Sequence, residues 1–282
     1  ALGTFDGVHL GHQKIIKAAV SFARRIGAHS AAITFDPHPQ KLVAPERGLK
    51  LLTTLAEREE LFCRFGVEAV VVIGFTAKMK GLSYSEFVKH YLVERLGVRH
   101  VFVGYDYAFG RGRSGTVTEL KALGRKFGFG VTVIPPVMAG FHLIKSGRVR
   151  ELVSQGKFAP AIKLLGHPYR ITGKVVKGAG RGRKLGFPTA NLKLDHDKLI
   201  PLPGVYFGYV DGKKCLVNIG SRPTFGAGPL LVEAHILNFH RHLRGKTMAI
   251  DLFLRLREEK QFSDVDDLIA QIKKDIVRAQ RM

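Results

Sequence analysis

Gly3-Thr4-Phe5-Asp6-Gly7-Val8-His9-Leu10-Gly11-His12 opens the chain and decides how its first half is read. Ala1-Leu2 before it reads as the end of a strand, so the sequence is expected to lack that strand's beginning. After it, Ile15, Ile16, Ala19, Val20 and Ala23 recur at helical spacing. A turn between a strand end and a helix start offers free backbone N–H groups and the positive end of a helix dipole, which favour a phosphate. His9 and His12 can donate hydrogen bonds to phosphate oxygens as charge develops, and Gly11 permits close backbone approach. The blander reading is a strand-to-helix turn with two incidental histidines. HxGH spacing at this place in a βα unit favours the phosphate.

Outward from that stretch, helix-like and strand-like segments alternate. Ala31–Phe35 reads as a short buried strand, and a helical stretch from Thr53 to Phe65 leads into Ala69–Ile73. Ser83–Leu96 leads into Val101–Val103, and Thr116–Phe127 into Val131–Ile134. Strands alternating with helices and lacking hairpin turns indicate a parallel sheet covered on both faces, a Rossmann-like α/β arrangement. After one helical segment, Glu151 to Leu165, the pattern changes to runs of strands: Arg170–Val176, Val205–Val210, Lys214–Ile219, Leu230–Leu237 and Met248–Leu256. Asp211-Gly212 between two of them is a hairpin signal. An antiparallel barrel or sandwich follows. Ser263 and Asp266 form a capping-box pattern before a last helix whose apolar face carries Val265, Leu268, Ile269, Ile272 and Ile276. The boundary is placed at Gly166-His167-Pro168, giving domains 1–166 and 167–282.

With 282 residues, 45% hydrophobic and 24% charged, the composition is that of a globular chain of about two domains. No apolar run approaches the roughly 20 residues of a bilayer span. Only Cys63 and Cys215 are present, too few for a disulfide framework or a cysteine zinc site, and a reducing cytoplasm is expected. Lys and Arg total 45 against 23 Asp and Glu, a formal +22 that attracts polyanions without choosing among nucleic acid, anionic membrane and phosphorylated small molecules.

HxGH, together with Phe35-Asp36-Pro37-His38-Pro39 and Gly104-Tyr105-Asp106-Tyr107-Ala108-Phe109-Gly110, resembles the bacterial bifunctional riboflavin kinase/FAD synthetase family, and the likeness runs to the last helix. The resemblance implies a nucleotidylyltransferase-type Rossmann-like domain followed by a mainly antiparallel β-barrel kinase domain with a C-terminal helix. It implies that His9 and His12 hold ATP phosphates, with Gly3, Phe5 and Gly11 beside them, and that Asp106 lies in the nucleotide and FMN site. His38 taken alone is equally a turn residue between two prolines. Arg111-Gly112-Arg113-Ser114-Gly115 reads as a cationic loop near the strand ends, or as a merely solvated one. In Ile144–Arg150 the family's second phosphate motif keeps Ser146 and Arg150, while Lys145 and Gly147 stand where hydroxyl-bearing residues are usual.

In the second half, Gly178-Ala179-Gly180-Arg181-Gly182-Arg183-Lys184-Leu185-Gly186 is a phosphate-cradle candidate without Walker A spacing, and by itself could equally bind RNA. Gly178, Gly180, Arg181 and Gly182 are its proposed contacts. The following Phe187-Pro188-Thr189-Ala190-Asn191 resembles riboflavin kinases, in which Thr and Asn coordinate Mg2+ and nucleotide; carried over, Thr189 and Asn191 are the metal residues. Strand alternation points Glu233 and His235 to one face. The family match makes Glu233 the general base; otherwise it is an exposed strand carboxylate. Asn218–Gly226 is expected to form a loop near the substrates. Arg257, Glu259 and Phe262 match residues implied to enclose the flavin, Phe262 being equally suited to a hydrophobic staple before Ser263. Asn238 and Leu243-Arg244-Gly245 depart from the family pattern outside the inferred chemistry.

The combined expectation is a cytoplasmic enzyme that phosphorylates riboflavin to FMN and adenylylates FMN to FAD, using ATP and Mg2+. Its partners are small-molecule flavins and ATP, with no specific nucleic acid and no membrane, and the sequence sets no oligomeric state. The alternatives are a monofunctional riboflavin kinase, motivated by Lys145 and Gly147, and a basic nucleic-acid-binding protein, which explains neither HxGH nor the Pro-Thr-Ala-Asn run.

Overall fold

The computed structural model describes residues 1–220, 230–239 and 241–282. The chain divides into two compact units, Ala1–Ser146 and Gly147–Met282. In the first, α1 (Leu10–Arg25), β1 (Ala31–Asp36), α2 (Pro39–Val43), α3 (Leu55–Arg64), β2 (Ala69–Gly74), α4 (Ala77–Gly81) and α5 (Tyr84–Phe87) come in order. They are followed by β3 (His100–Gly104), α6 (Val117–Phe127), β4 (Gly130–Ile134) and a small hairpin of β5 (Met138–Ala139) and β6 (His142–Leu143). β1 pairs in parallel with β2, and β3 with β4. Ala1–Gly3 joins the two pairs: the Leu2 N–H donates to Phe102 O at 3.0 Å and the Gly3 N–H to Ile33 O at 3.1 Å. The parallel order is therefore β2, β1, Ala1–Gly3, β3, β4. Alternate strand residues feed opposite faces. Ile33, Phe35, Val101 and Val103 pack with Phe87, Leu92 and Leu120 on one side. Ala32 and Phe102 pack with Ile15, Ile16, Val20 and Phe62 on the other.

The helix expected over Ser83–Leu96 is not uniform. It begins as α5 behind a Ser83/Glu86 capping box and widens to i→i+5 bonding across Val88–Arg95. The single helix expected from Glu151 to Leu165 is two, α7 (Ser146–Ser154) and α8 (Phe158–Leu165). Gly156, at φ +69, turns the chain left-handed between them, which ends a right-handed helix.

The second unit is a closed barrel of six strands, β7 (Tyr169–Val176), β8 (Ala190–Leu194), β9 (Gly204–Val210), β10 (Lys213–Gly220), β11 (Leu231–Ile236) and β12 (Thr247–Arg257). Their order is β10-β11-β8-β7-β12-β9, and every described pairing is antiparallel. This resolves the barrel-or-sandwich alternative. Asp211 (φ +47) and Gly212 (φ +76) make the tight turn between β9 and β10. β8 is a strand that period alone did not reveal. The strand expected over Lys214–Ile219 runs on to Gly220, so the start of the stretch also expected as a loop completes β10, where Val217 and Ile219 alternate into the interior and are wholly buried. Ser221–Gly226 lies outside the described residues. α9 (Arg181–Lys184) is a single turn, and α10 (Val265–Gln280) closes the chain. Its cap is Asp264, whose carboxylate accepts the Asp267 N–H at 2.8 Å, not Ser263. Val265, expected on the buried face, is exposed, while Ile276 and Ala279 pack against Val205 and Leu256. With Asp264 as cap, Ser263 takes the staple position and Phe262 falls one residue outside it.

Candidate functional site

In the α/β unit, the chain leaves Ala1–Gly3, passes to β1 and β2 on one side, then crosses to β3 on the other. The end of Ala1–Gly3 is thus the point where strand order reverses, the place where open α/β sheets bind ligands. The quoted turn sits there and is strongly constrained. Phe5 (φ +51), Gly7 (φ +82) and Val8 (φ +37) all have left-handed backbone, and conformations of this kind in non-glycine residues persist only where surroundings enforce them. Asp6 does much of the enforcing. Its carboxylate, 1% exposed, accepts the Leu52 and Thr53 N–H groups at 3.1 and 3.0 Å and the Thr53 hydroxyl at 3.2 Å. Thr53 Oγ1 in turn accepts the Gly7 N–H at 2.9 Å.

His9 caps α1, its Nδ1 accepting the His12 N–H at 3.4 Å, and the two imidazoles stack with centroids 3.6 Å apart. Phe5 meets His12 edge-on at 5.3 Å. A Cβ on Gly11 would come within 3.1 Å of the His9 ring, and one on Gly3 within 3.2 Å of the Phe5 ring, so both glycines let the rings lie against the backbone. Ser146 reaches the same turn, donating its hydroxyl to Asp6 O at 2.9 Å. Arg150 lies one helical turn further along α7. Asp106 is exposed just past the end of β3, and a Cβ at Gly104 would touch both its Oδ1 and Ile15 of α1, at 3.5 Å each. His38 caps the short α2, accepting the Gln40 N–H at 3.2 Å. The Arg111–Gly115 loop is closed at its base by reciprocal Phe109–Gly115 backbone bonds of 2.8 and 2.9 Å.

Two residues of this site were not singled out from the sequence. Asp6 stands inside the quoted stretch, yet nothing in its spacing marks it as the turn's anchor. Arg58, 1% exposed on α3, donates from Nη1 to Thr4 O at 2.8 Å and to Thr34 Oγ1 at 3.1 Å. Burial lowers its pKa, opposed by Asp6, Asp36 and Glu59. A lone arginine on a helix of mixed charge gives no sequence signal of burial.

In the barrel unit, the glycine-rich loop lies on the residues that follow it. A Cβ at Gly178 would overlap the Asn191 amide, and one at Gly182 would overlap Phe187 O and reach Thr189 Oγ1 at 3.2 Å. Gly180 (φ +72) opens the α9 turn that carries Arg181. Glu233 on β11 stands directly opposite Asn191 on β8. Next to it, His235 Nδ1 lies 2.8 Å from Pro188 O and fixes that loop to β11. Glu259 lies against the end of β10, where a Cβ on Gly220 would overlap its carboxylate. Arg257 is bound to Asp275 of α10, Nε to Oδ2 at 2.9 Å, and Gln271 donates to the other oxygen at 2.9 Å. Phe262 is half-buried between β12 and α10 in sequence. Asn238 has φ +54, a conformation asparagine tolerates better than most residues, and Gly245 (φ +82) turns the chain into β12.

Hydroxyl, amide and carboxylate oxygens beside a glycine-rich cationic loop suit a hard cation and its phosphate ligands. Among the described residues, no group of three or more His, Cys, Asp or Glu side chains could hold a metal. Fold and sites together fit a two-part nucleotide-using transferase: a βα turn at a sheet's switch point whose shape suits a phosphate, in one chain with a six-stranded barrel that carries a glycine-rich cationic loop.

Comparison with known proteins agrees for both parts. The FAD synthetase family model matches residues 1–148 and the riboflavin kinase model residues 165–282. A bifunctional riboflavin kinase/FMN adenylyltransferase of Listeria monocytogenes is 41% identical, covering 98% of this chain and 89% of that protein. One of Escherichia coli is 34% identical, covering 99% and 90%. The chain belongs to the bifunctional riboflavin kinase/FMN adenylyltransferase family. A Streptococcus pneumoniae crystal structure described as a macrolide-efflux protein superposes with a TM-score of 0.87 at 30% identity, covering 100% of this chain and 93% of that one. Among the described residues here, no helix is long and apolar enough to cross a membrane.

Proposed function

We propose that this protein phosphorylates riboflavin to FMN in its barrel and adenylylates FMN to FAD at the HxGH turn, with ATP as co-substrate in both reactions. The observation that carries this reading is the presence, on one chain of this family, of two separate phosphate-suited constellations. The residues of the first activity in sequence order fall within 1–166 and those of the second within 167–282.

In the kinase reaction, Glu233 accepts the proton of the flavin's ribityl 5′-hydroxyl, whose oxygen attacks the γ-phosphorus of ATP as ADP leaves. Gly178, Gly180, Arg181 and Gly182 cradle the transferring group and neutralise its spreading charge. Thr189 and Asn191 bring a hydroxyl and a side-chain amide against the glycine loop, groups whose oxygens fit Mg2+. Bound there with the nucleotide phosphates, Mg2+ would supply positive charge to the phosphoryl oxygens. Arg257, Glu259 and Phe262 hold the flavin ring side of the substrate.

In the adenylyl transfer, the phosphate of FMN attacks the α-phosphorus of ATP and pyrophosphate leaves. That nucleophile is already anionic at neutral pH, so catalysis is positioning and charge stabilisation. His9 and His12 donate to phosphate oxygens, Ser146 and Arg150 hold the triphosphate, and Gly3, Phe5 and Gly11 line the phosphate site beside them. Asp106 contacts nucleotide and FMN. We place the enzyme in the cytoplasm, where ATP is supplied and the free thiols of Cys63 and Cys215 stay reduced; flavins and ATP are its partners.

The test is to incubate the protein with riboflavin, ATP and Mg2+ and to separate the flavins by chromatography. FAD is the expected product. FMN accumulating without FAD would confine activity to the barrel and point to Lys145 and Gly147, and no conversion would overturn the proposal.

A further inference from the structure

The strand register places Asn218, which the kinase chemistry has not used, in a row with residues that it has. On β10 it stands opposite Glu233 of β11, and Glu233 stands opposite Asn191 of β8. On its other side Asn218 faces Val205 of β9, and Val205 faces Arg257 of β12. Residues directly opposite across antiparallel strands share a face with Cβ atoms about 4.5–5.5 Å apart. Asn191, Glu233, Asn218, Val205 and Arg257 therefore form one outward row, since Val217 and Ile219 on either side of Asn218 point inward and are fully buried. Gly220, two residues on and on the same face, is where the Glu259 carboxylate rests. Asn218 is half-buried, and its side chain forms no hydrogen bond with another described residue.

We propose that Asn218 is a specificity-determining residue of the kinase site, whose amide hydrogen-bonds the secondary hydroxyls of the flavin's ribityl chain. This rests on the assignment of Glu233 to the 5′-hydroxyl and of Arg257 and Glu259 to the ring side. A substrate held at both places must run its polyol chain past the residue between them, and Asn218 is that residue. Val205, the other intervening position, is apolar and covered by Ile276 and Ala279 of α10, so it offers a polyol nothing. An amide, with both donor and acceptor atoms, is matched to a chain of hydroxyls. An amide left facing a hydroxyl-free chain keeps its desolvation cost and gains no partner, which is how such a site discriminates.

The experiment measures kinase kcat/KM for riboflavin and for a flavin bearing a 5-hydroxypentyl chain, which keeps the reacting hydroxyl and lacks the others. Asn218→Ala should lower kcat/KM for riboflavin about 10- to 100-fold while changing that for the analogue less than about threefold. Equal losses on both substrates, or no loss on either, would overturn the proposal. The urea unfolding transition of the barrel unit, unchanged from the parent, reports that the fold around Asn218 is intact, and FMN adenylylation by the other unit serves only to normalise the amount of protein. If Asn218→Ala fails to fold, Asn218→Ser, which retains a hydrogen-bonding side chain of smaller size, should show the same selective loss to a lesser degree. Glu233→Gln tests the underlying reading separately: full kinase activity in that variant would remove the base assignment, whatever Asn218 does.

Discussion

Cys215 and Cys63 are chemically opposite although nothing in their spacing says so. Cys215 faces the barrel interior, fully buried, and Cys63 is exposed on α3. Burial, with the nearby Asp251 carboxylate adding to it, pushes the Cys215 thiol up from 9.0 to about 12. The reactive species is the thiolate, so at pH 8 a maleimide should modify Cys63 and leave Cys215 untouched until the protein is unfolded. Mass spectrometry should find one adduct on the native chain and two in denaturant; two adducts on the native chain would contradict the buried placement. The same shift carries a sign for stability. Because the folded thiol holds its proton more tightly than the unfolded one, its contribution is complete below pH 9 and is lost as pH rises from 9 towards about 12. Cys215→Ala should flatten that part of the stability profile. At this scale the sequence singled out the histidines by their spacing and, through the family resemblance, Glu233, Thr189 and Asn191 as candidates, but not Asp6 or Arg58. Their roles are to hold backbone at long sequence separation, Asp6 to Thr53 and Arg58 to Thr4, and no local pattern encodes such a partner.

Elements with a strong hydrophobic period were legible from end to end. β1, β2 and α6 fall within a residue or two of their expected limits, because each carries an unbroken or periodic run of Val, Ile, Leu and Phe. Three features were not. β8 has only a five-residue run and spends its outward position on Asn191, so its pairing with β7 and β11 is set by the neighbouring strands. Gly156 breaks a helix that composition alone continues. The cap of α10 sits one residue beyond the Ser263 reading, since Asp264 and Asp267 satisfy the same geometry and place the Ile276 and Ala279 face on the barrel. That register difference is measurable. Asp264→Ala should destabilise the barrel unit by about 1 kcal/mol, the ordinary worth of a lost N-cap, while Ser263→Ala should change it by less than about 0.5 kcal/mol. The two variants' urea midpoints, read from the unfolding transition of the barrel, distinguish the caps; equal losses would return the cap to Ser263.

At the scale of the whole molecule, the histidine turn and the Glu233 row belong to units that each bury their own apolar interior. The α/β unit encloses one cluster on each face of its sheet, and α10 seals the barrel's outer cluster over Val205 and Phe207. No strand is shared between them among the described residues. His9 and His12 depend on the Asp6–Thr53 anchor and the helix they open, whereas Glu233 depends on its pairing with β8 and β10. A change at one constellation therefore leaves the support of the other in place, and the two activities should fail independently. Glu233→Ala should stop FAD formation from riboflavin yet leave FAD formation from supplied FMN within about twofold of the parent. His9→Ala or His12→Ala should do the reverse, with riboflavin converted to FMN at near-parental rate and FAD formation down about 100-fold or more, the scale of losing an oriented donor to developing phosphate charge. Both are read in one assay by chromatographic separation of the three flavins over time. Loss of adenylyl transfer in Glu233→Ala, with the melting profile of the α/β unit unchanged, would show that the two units act as a single catalytic body rather than as two.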